Sequence, residues 1–229
     1  MKRRKFIRNI SVGGSSLAVL PITNHYSYSN NPSIGNNAQA EYAADLVVAG
    51  GGLGGCAASL AGLRNGLRVV MTEETSWIGG QITQQGVPPD EHQWIETHGA
   101  TQLYRDFRNA VRQYYFQYYP VTETARKRQY FNPGNGAVSR LCHEPRVALA
   151  VLEAMFARYL SSGQLTLLLN HKITRADVEN DQVKALTARD SQSDKEVVLT
   201  ATYFADATEL GDLLPLTRTE YVTGTEARS

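Results

Sequence analysis

The sequence has 229 residues, of which 42% are hydrophobic and 20% are charged, a composition typical of a globular protein with a sizeable core. The first forty positions contain five of the 23 basic residues and none of the 22 acidic residues. The rest of the chain therefore has 18 basic and 22 acidic residues, a formal charge of −4. This balance argues against a basic nucleic-acid-binding face, and two cysteines are too few for a disulfide framework.

The first forty residues resemble an export signal. Arg3 and Arg4 are followed by Phe6 and by an apolar stretch that is too short, and too rich in Gly and Ser, to span a bilayer. This start resembles the RR-x-F-[LI] core of a twin-arginine signal, and residues 38–40 have the small-x-small form of a cleavage site. We therefore expect residues 1–40 to be an export signal with an unstructured linker, and the protein to be periplasmic. The alternative is an ordinary basic, disordered N-terminus.

Residues 45–74 have the pattern of a dinucleotide-binding strand–turn–helix–strand unit. A short apolar strand at 46–49 leads into a glycine-rich turn, and a segment rich in Ala and Leu at 56–65 is typical of a helix. A second apolar strand at 67–72 follows. The pattern predicts a βαβ unit that binds a dinucleotide; the alternative is a tight turn that packs helix on sheet without a ligand.

The glycines of the turn and one acid indicate which cofactor to expect. Gly50, Gly52 and Gly55 have G-x-G-x-x-G spacing, which provides a tight turn, a close approach of the main chain to a pyrophosphate, and close packing of the helix. Glu73 ends the second strand, where a carboxylate accepts hydrogen bonds from ribose hydroxyls. A carboxylate there repels a 2′-phosphate, which leaves NAD or FAD.

The rest of the chain predicts two long helices and then a run of strands. Thr97–Tyr119 reads as a helix with several arginines along one face, and Pro145–Leu160 as a second helix. A compact apolar strand at Leu165–Leu169 precedes three strands joined by short polar turns: Lys172–Glu179, Gln182–Arg189 and Glu196–Thr200, the last continuing to Ala205. This order predicts an α/β fold, Rossmann-like, with a parallel sheet and a three-stranded antiparallel β-meander.

The order of a βαβ unit, a turn with two glycines, helices, a strand, a meander and a strand that ends in DAT-x-x-GD resembles the FAD-dependent oxidoreductases of the glutathione-reductase-like superfamily. Three segments, at residues 69–83, 139–156 and 204–224, resemble more narrowly a bacterial group of these enzymes. Its members typically read E-x-x-x-x-G-G-Q, here at residues 74–81, and DAT-E/G-x-GD, here at residues 206–212. The resemblance covers residues 45–224 and implies an FAD-binding domain at residues 41–229, present as the N-terminal portion of a longer enzyme whose substrate domain and closing segment are missing.

The resemblance also implies roles for matching residues. The glycine turn would line the FAD pyrophosphate, Glu73 would hold the adenosine ribose, and residues 79–81 would border the flavin end. The main chain at Ile173 would lie by the adenine, and residues 207–208 would close over the pyrophosphate. The full set of cofactor-binding residues is Gly50, Gly52, Leu53, Gly54, Gly55, Glu73, Gly79, Gly80, Gln81, Ile173, Ala207 and Thr208. Asp206 and Asp212 either face the ligand or cap turns.

The expected function is flavin-mediated hydride or electron transfer on a small organic substrate. No residue is assigned as catalytic or as a metal ligand, and no nucleic-acid partner or stable membrane span is expected; the sequence leaves the oligomeric state open. One alternative is an NAD-dependent dehydrogenase, which the meander disfavours because such domains alternate strand and helix throughout. The other is a non-catalytic remnant that binds a nucleotide.

Overall fold

The computed structural model describes residues 40–224. The predicted export signal and linker therefore lie outside the described residues, except for position 40. Within residues 40–224, no helix has both the length and the apolar character needed to cross a membrane.

Six strands form one continuous sheet. The strands are β1 (Ala40–Ala49), β2 (Val69–Glu73), β3 (Leu165–Leu169), β4 (His171–Glu179), β5 (Gln182–Asp190) and β6 (Glu196–Asp206), in the order β3-β2-β1-β6-β5-β4. The first four strands in that order are parallel; β5 then pairs antiparallel with β6, and β4 pairs antiparallel with β5. The predicted fold class, a parallel sheet with a three-stranded meander, is confirmed.

Strand β1 is longer than the apolar pattern predicts. It begins at Ala40 rather than at Leu46 because β6 pairs with it along its length, from Ala40 opposite Val197 to Ala49 opposite Asp206. The first six residues are not a continuous apolar run, so only the tertiary partner reveals that they are extended. β6 belongs to both the parallel sheet and the meander, and it therefore joins the two parts.

Within the described residues, five α-helices accompany the sheet: α1 (Leu53–Arg64), α2 (Gln102–Tyr118), α3 (Glu123–Arg126), α4 (Pro145–Ser161) and α5 (Leu213–Thr217). The prediction that α2 begins at Thr97 is wrong. The helix begins after Thr101, whose side chain accepts a hydrogen bond from Tyr104 N at 3.3 Å and so caps the first turn. α3 and α5 are too short to show a helical period in the sequence.

The core lies on both faces of the parallel strands. Val48 and Met71 point towards a cluster that includes residues of α1, α2 and α4, whereas Val47 and Val70 point to the opposite face and join a second cluster with residues of the meander and α5. This division follows from the alternation of side chains along a strand. The carboxyl ends of β1, β2 and β6 meet at one edge, where the glycine turn lies.

Candidate cofactor site

Two glycines of the turn are required by packing. Gly50 has a φ of +99°, and a Cβ built on it would collide with the carbonyl oxygen of Ala207. A Cβ built on Gly55 would collide with the carbonyl oxygen of Gly50. These contacts hold α1 tightly against the ends of β1 and β6, as expected for the first and last glycines of the motif.

Two further glycines of the turn, Gly52 and Gly54, face free space. A Cβ built on Gly54 has no protein atom within 4 Å, and one built on Gly52 meets only Oε1 of Glu209, at 3.3 Å. No side chain in the described part of the chain caps α1, and its first turn carries no acid. Main-chain amides at the start of α1 are therefore available to an anion, which the helix dipole also favours. These features fit a diphosphate group.

Glu73 lies behind the turn, at the end of β2, and is 7% exposed. Its Oε2 accepts a hydrogen bond from Gly51 N at 3.0 Å, and its Oε1 accepts two from Thr75, from the amide at 2.9 Å and the hydroxyl at 2.7 Å. Each carboxylate oxygen has two lone pairs, so these contacts fill Oε1 and leave one acceptor position on Oε2. That position can take one ribose hydroxyl.

The Gly79–Gln81 segment lies against the glycine turn. Gly79 N donates to Gly51 O at 2.8 Å, and Gly79 forms a parallel bridge with Gly52. Gly79 and Gly80 both have positive φ, 102° and 52°, which the E-x-x-x-x-G-G-Q motif accommodates with glycine. The structure thus brings two segments that are separate in sequence to one place.

The loop after β6 completes this edge. Ala207 N donates to Ala49 O at 2.8 Å, which places residues 207–208 beside the turn. Asp206 is occupied within its own loop: Oδ1 accepts from the amide and hydroxyl of Thr208 at 3.0 and 2.7 Å, and Oδ2 accepts from Leu213 N at 2.9 Å. Of the two interpretations of Asp206, the structure favours the turn cap.

These elements enclose the glycine-turn cavity, which has a volume of about 300 Å³. Half of the predicted cofactor residues line it: Gly52, Leu53, Gly54, Gln81, Ala207 and Thr208. Five further lining residues were not predicted: Ile82, Pro89, Asp90, Tyr104 and Glu209. Glu209 stands inside the DAT-x-x-GD motif and so had a signal in the sequence. Asp90 had none, because it stands in a loop without a regular pattern; Tyr104 lies in the predicted helix, but helical spacing alone does not show that its side chain reaches the cavity.

Ile173 does not line this cavity. It is buried in β4, 6% exposed, in the second core cluster. The start of β4 nevertheless lies beside the end of β2, since Asn170 N donates to Thr75 O at 3.0 Å and Lys172 Nζ lies 3.1 Å from Glu74 Oε2. Ile173 is therefore on the Glu73 side of the site, away from the open glycines.

A buried charged cluster adjoins the cavity through Tyr104. The Tyr104 hydroxyl donates to Glu91 Oε1 at 2.5 Å, and the same oxygen pairs with Arg108. Burial and the hydrogen bond to Glu91 raise the pKa of Tyr104, so this phenol stays protonated at neutral pH. Burial alone would lower the pKa of Arg108, but the carboxylates of Glu91 and Glu96 raise it. The cluster thus holds a neutral hydroxyl at the cavity wall.

The charge of the cavity lining is negative. Asp90 and Glu209 are its charged residues, and none of the described residues that line it is basic. An anionic ligand is therefore held here by main-chain amides and the helix dipole alone. No group of three His, Cys, Asp or Glu side chains suited to a metal ion occurs within the described chain.

The sequence matches a family model described as FAD dependent oxidoreductase over residues 45–229. No curated protein matches this sequence.

Similar solved structures include the glycerol-3-phosphate dehydrogenase from Bacillus halodurans complexed with FAD, with 14% identity and a TM-score of 0.48, covering 78% of this chain and 37% of that one. Thermovibrio ammonificans THI4 has 15% identity and a TM-score of 0.46, covering 79% and 64%. The myxobacterial chondrochloren halogenase CndH, described as a variant of FAD-dependent halogenases, has 15% identity and a TM-score of 0.45, covering 72% and 37%. The chain thus spans less than two thirds of the length of each.

Proposed function

The chain belongs to the family of FAD dependent oxidoreductases, whose cofactor is FAD, and from this membership we propose that the glycine-turn cavity holds the FAD diphosphate in an enzyme that oxidises or reduces a small organic molecule. The observation that carries the proposal is the free space over Gly52 and Gly54 at the uncapped start of α1. A glycine turn that served packing alone would not leave these two positions open.

Each group of residues has a separate task in this proposal. The amides of residues 52–54 bind the diphosphate, and Oε2 of Glu73 accepts one adenosine ribose hydroxyl. Gln81 and Tyr104 line the same cavity, and the Gly79–Gln81 segment would border the flavin end of the cofactor. Bound FAD supplies the hydride or electron transfer, and the protein supplies position and electrostatics.

Glu209 opposes the diphosphate. Its Oε1 lies 2.9 Å from a Cβ built on Gly80 and 3.3 Å from one built on Gly52, so the carboxylate stands over the turn. A diphosphate that approaches the Gly52 main chain meets this negative charge. Because the side chain is exposed, rotation into solvent makes room for the ligand, and the repulsion is reduced by solvent screening.

We further propose that the protein acts outside the cytoplasm. The twin arginine at Arg3 and Arg4 supports this proposal, and a twin-arginine route would carry a folded protein with its cofactor already bound. Immunoblots of periplasmic and cytoplasmic fractions test it. We expect the wild-type protein in the periplasmic fraction and the double variant Arg3→Lys, Arg4→Lys in the cytoplasmic fraction. Equal retention of the two proteins in the cytoplasm would contradict the proposal.

Absorbance and titration of the purified full-length chain test the cofactor. We expect flavin absorbance bands at about 450 nm in the purified protein, or saturable binding of added FAD measured by flavin fluorescence. A colourless protein that binds NAD instead would favour the NAD-dependent dehydrogenase. One that binds neither dinucleotide would contradict the proposed function.

Glu73→Gln tests the ribose contact. The amide keeps the size of the side chain but loses a charged acceptor, so the affinity for FAD should fall by about tenfold or more, since hydrogen bonds to charged groups contribute roughly 1.5–3 kcal/mol. Glu74→Gln, the neighbouring acid that pairs with Lys172, is the matched control and should bind FAD as the wild type does. Unchanged affinity in Glu73→Gln, at unchanged melting temperature, would contradict the assigned role.

A further inference from the structure

A second cavity, of about 220 Å³, lies along α2 and has the opposite charge from the first. Four of its lining residues are arginines, Arg105, Arg108, Arg112 and Arg128, and its one acid is Glu96. We call it the arginine cavity. The chain after residue 40 has more acidic than basic residues, so a general excess of positive charge does not explain why four arginines meet here.

Two of the four arginines have a structural task. Arg108 is 2% exposed and pairs with Glu91 and Glu96. Arg112 pairs with the same Glu96 at 2.5 Å and donates from Nε to Phe131 O at 2.8 Å. These contacts balance the charge of both guanidinium groups and fasten the loop around residue 131 to α2. They explain why arginine stands at positions 108 and 112, but they do not explain Arg105 or Arg128.

Arg105 and Arg128 are left with uncompensated charge. Within residues 40–224 neither side chain has a carboxylate at ion-pair distance. Arg105 donates one hydrogen bond, to Ala100 O at 2.6 Å, which leaves most of its donors free. Two positive charges therefore face one concave space whose other charges are already paired.

The wall of the arginine cavity is aromatic. Phe116, Tyr130 and Phe131 line it, and the rings of Phe116 and Phe131 stack with centroids 5.1 Å apart. Phe131 is buried, whereas Tyr130 is 42% exposed. Apolar surface beside free guanidinium groups suits a ligand with an anionic head and an apolar body, because guanidinium forks bind carboxylates and phosphates in bidentate fashion.

We propose that the arginine cavity binds a small organic anion, with its carboxylate or phosphate head held by Arg105 and Arg128 and its apolar body against the aromatic wall. This site is separate from the glycine-turn cavity and shares no lining residue with it. The use of arginine at all four basic positions agrees with this chemistry, since lysine presents a point charge without the planar fork.

Calorimetric titration of the full-length chain without cofactor tests the proposal. Benzoate and phenyl phosphate are the probes, because each joins an anionic head to an apolar ring; inorganic phosphate lacks the ring, and benzylamine has the opposite charge. The expected result is one site per chain for an organic anion, binding at least about tenfold tighter than inorganic phosphate, and none for benzylamine. Saturating ADP should not displace benzoate, which distinguishes the arginine cavity from the start of α1.

Variants then locate the site. Arg105→Gln and Arg128→Gln should each weaken benzoate binding by about tenfold, as expected for loss of a charge-assisted hydrogen bond. Lys127→Gln removes the same charge next to Arg128 but outside the cavity, from a side chain that is 81% exposed, and should leave affinity within about twofold. Melting temperatures of all three should match the wild type.

Three results would overturn the proposal: no binding of either organic anion at millimolar concentration, equal weakening by Lys127→Gln and Arg128→Gln, or displacement of benzoate by ADP. Binding of inorganic phosphate as tight as that of phenyl phosphate would overturn the role of the aromatic wall. None of these measurements needs bound FAD, so a chain that fails to bind FAD would contradict the proposed function and leave this test unaffected.

Discussion

Four of the five glycines of the turn act in two different ways. Gly50 and Gly55 lack a side chain because main chain occupies the place of their Cβ atoms, whereas Gly52 and Gly54 lack one where only free space or an exposed carboxylate is found. Packing accounts for the first pair. The proposed ligand would account for the second, since an alanine at Gly54 would be tolerated sterically and is a better helix former.

Gly54→Ala and Gly55→Ala should therefore separate binding from stability. Gly54→Ala should keep the free energy of unfolding, or raise it by up to about 1 kcal/mol, while weakening FAD binding because the methyl group enters the cavity. Gly55→Ala should lower the free energy of unfolding by about 1–3 kcal/mol, the usual cost of overpacking. Urea denaturation and flavin fluorescence measure the two quantities. Wild-type affinity in Gly54→Ala would contradict a diphosphate at this position.

The sequence predicts the residues of the turn because the signal is local. Gly52, Gly54 and Glu73 belong to one continuous βαβ unit, so spacing alone relates them. Asp90 reaches the same cavity from a loop without periodicity and Tyr104 from the first turn of α2, so their positions depend on how that loop and the helix pack beside the turn. Glu209 was visible in the DAT-x-x-GD motif, but its direction towards Gly52 and Gly80 is set by the loop that Asp206 caps.

Among the elements, α2 carries both the buried ion pairs and the lining of the arginine cavity. The sequence predicts its arginine-bearing face correctly but begins the helix too early, because a cap at Thr101 and not the polar pattern decides the first turn. Sequence spacing also gives no sign that Arg108 is buried while Arg105 remains accessible. That difference arises from Glu91 and Glu96, which precede the helix and pair with Arg108.

Arg108→Met should measure how much the ion pairs of Arg108 with Glu91 and Glu96 stabilise the fold. The substitution keeps most of the volume but leaves two carboxylates without their shared partner, so the free energy of unfolding should fall by about 3–5 kcal/mol, the range for breaking a buried ion pair. Arg105→Met on the same helix, which has no ion pair to lose, should change it by no more than about 0.5 kcal/mol. Equal effects in urea denaturation would show that the pairs contribute little.

The molecule as a unit depends on β6. This strand pairs with β1 on one side and with β5 on the other, so the parallel sheet and the meander share one hydrogen-bonded ladder. Alternation of apolar residues along β1 places side chains in both core clusters. Loss of either half therefore exposes apolar surface of the other, and we expect the two halves to unfold together.

Thiol labelling tests this cooperativity. Cys56 is 1% exposed, its thiol donates to Gly51 O at 3.3 Å, and burial raises its pKa to about 12, so it should resist alkylation in the folded protein. In a Cys142→Ser background, labelling of Cys56 should follow the same urea transition as the circular dichroism signal. A labelling midpoint well below that transition would show that the βαβ unit opens before the meander.

The pairing of β1 with β6 also bears on synthesis of the chain. Val47 meets Val70 soon after the ribosome has made both, but its other neighbour, Phe204, belongs to a strand that emerges only near the end of the described chain. Until then one edge of the central strand has no partner and can pair with other chains. Nascent polypeptides would consequently need protection by chaperones until translation has passed the meander.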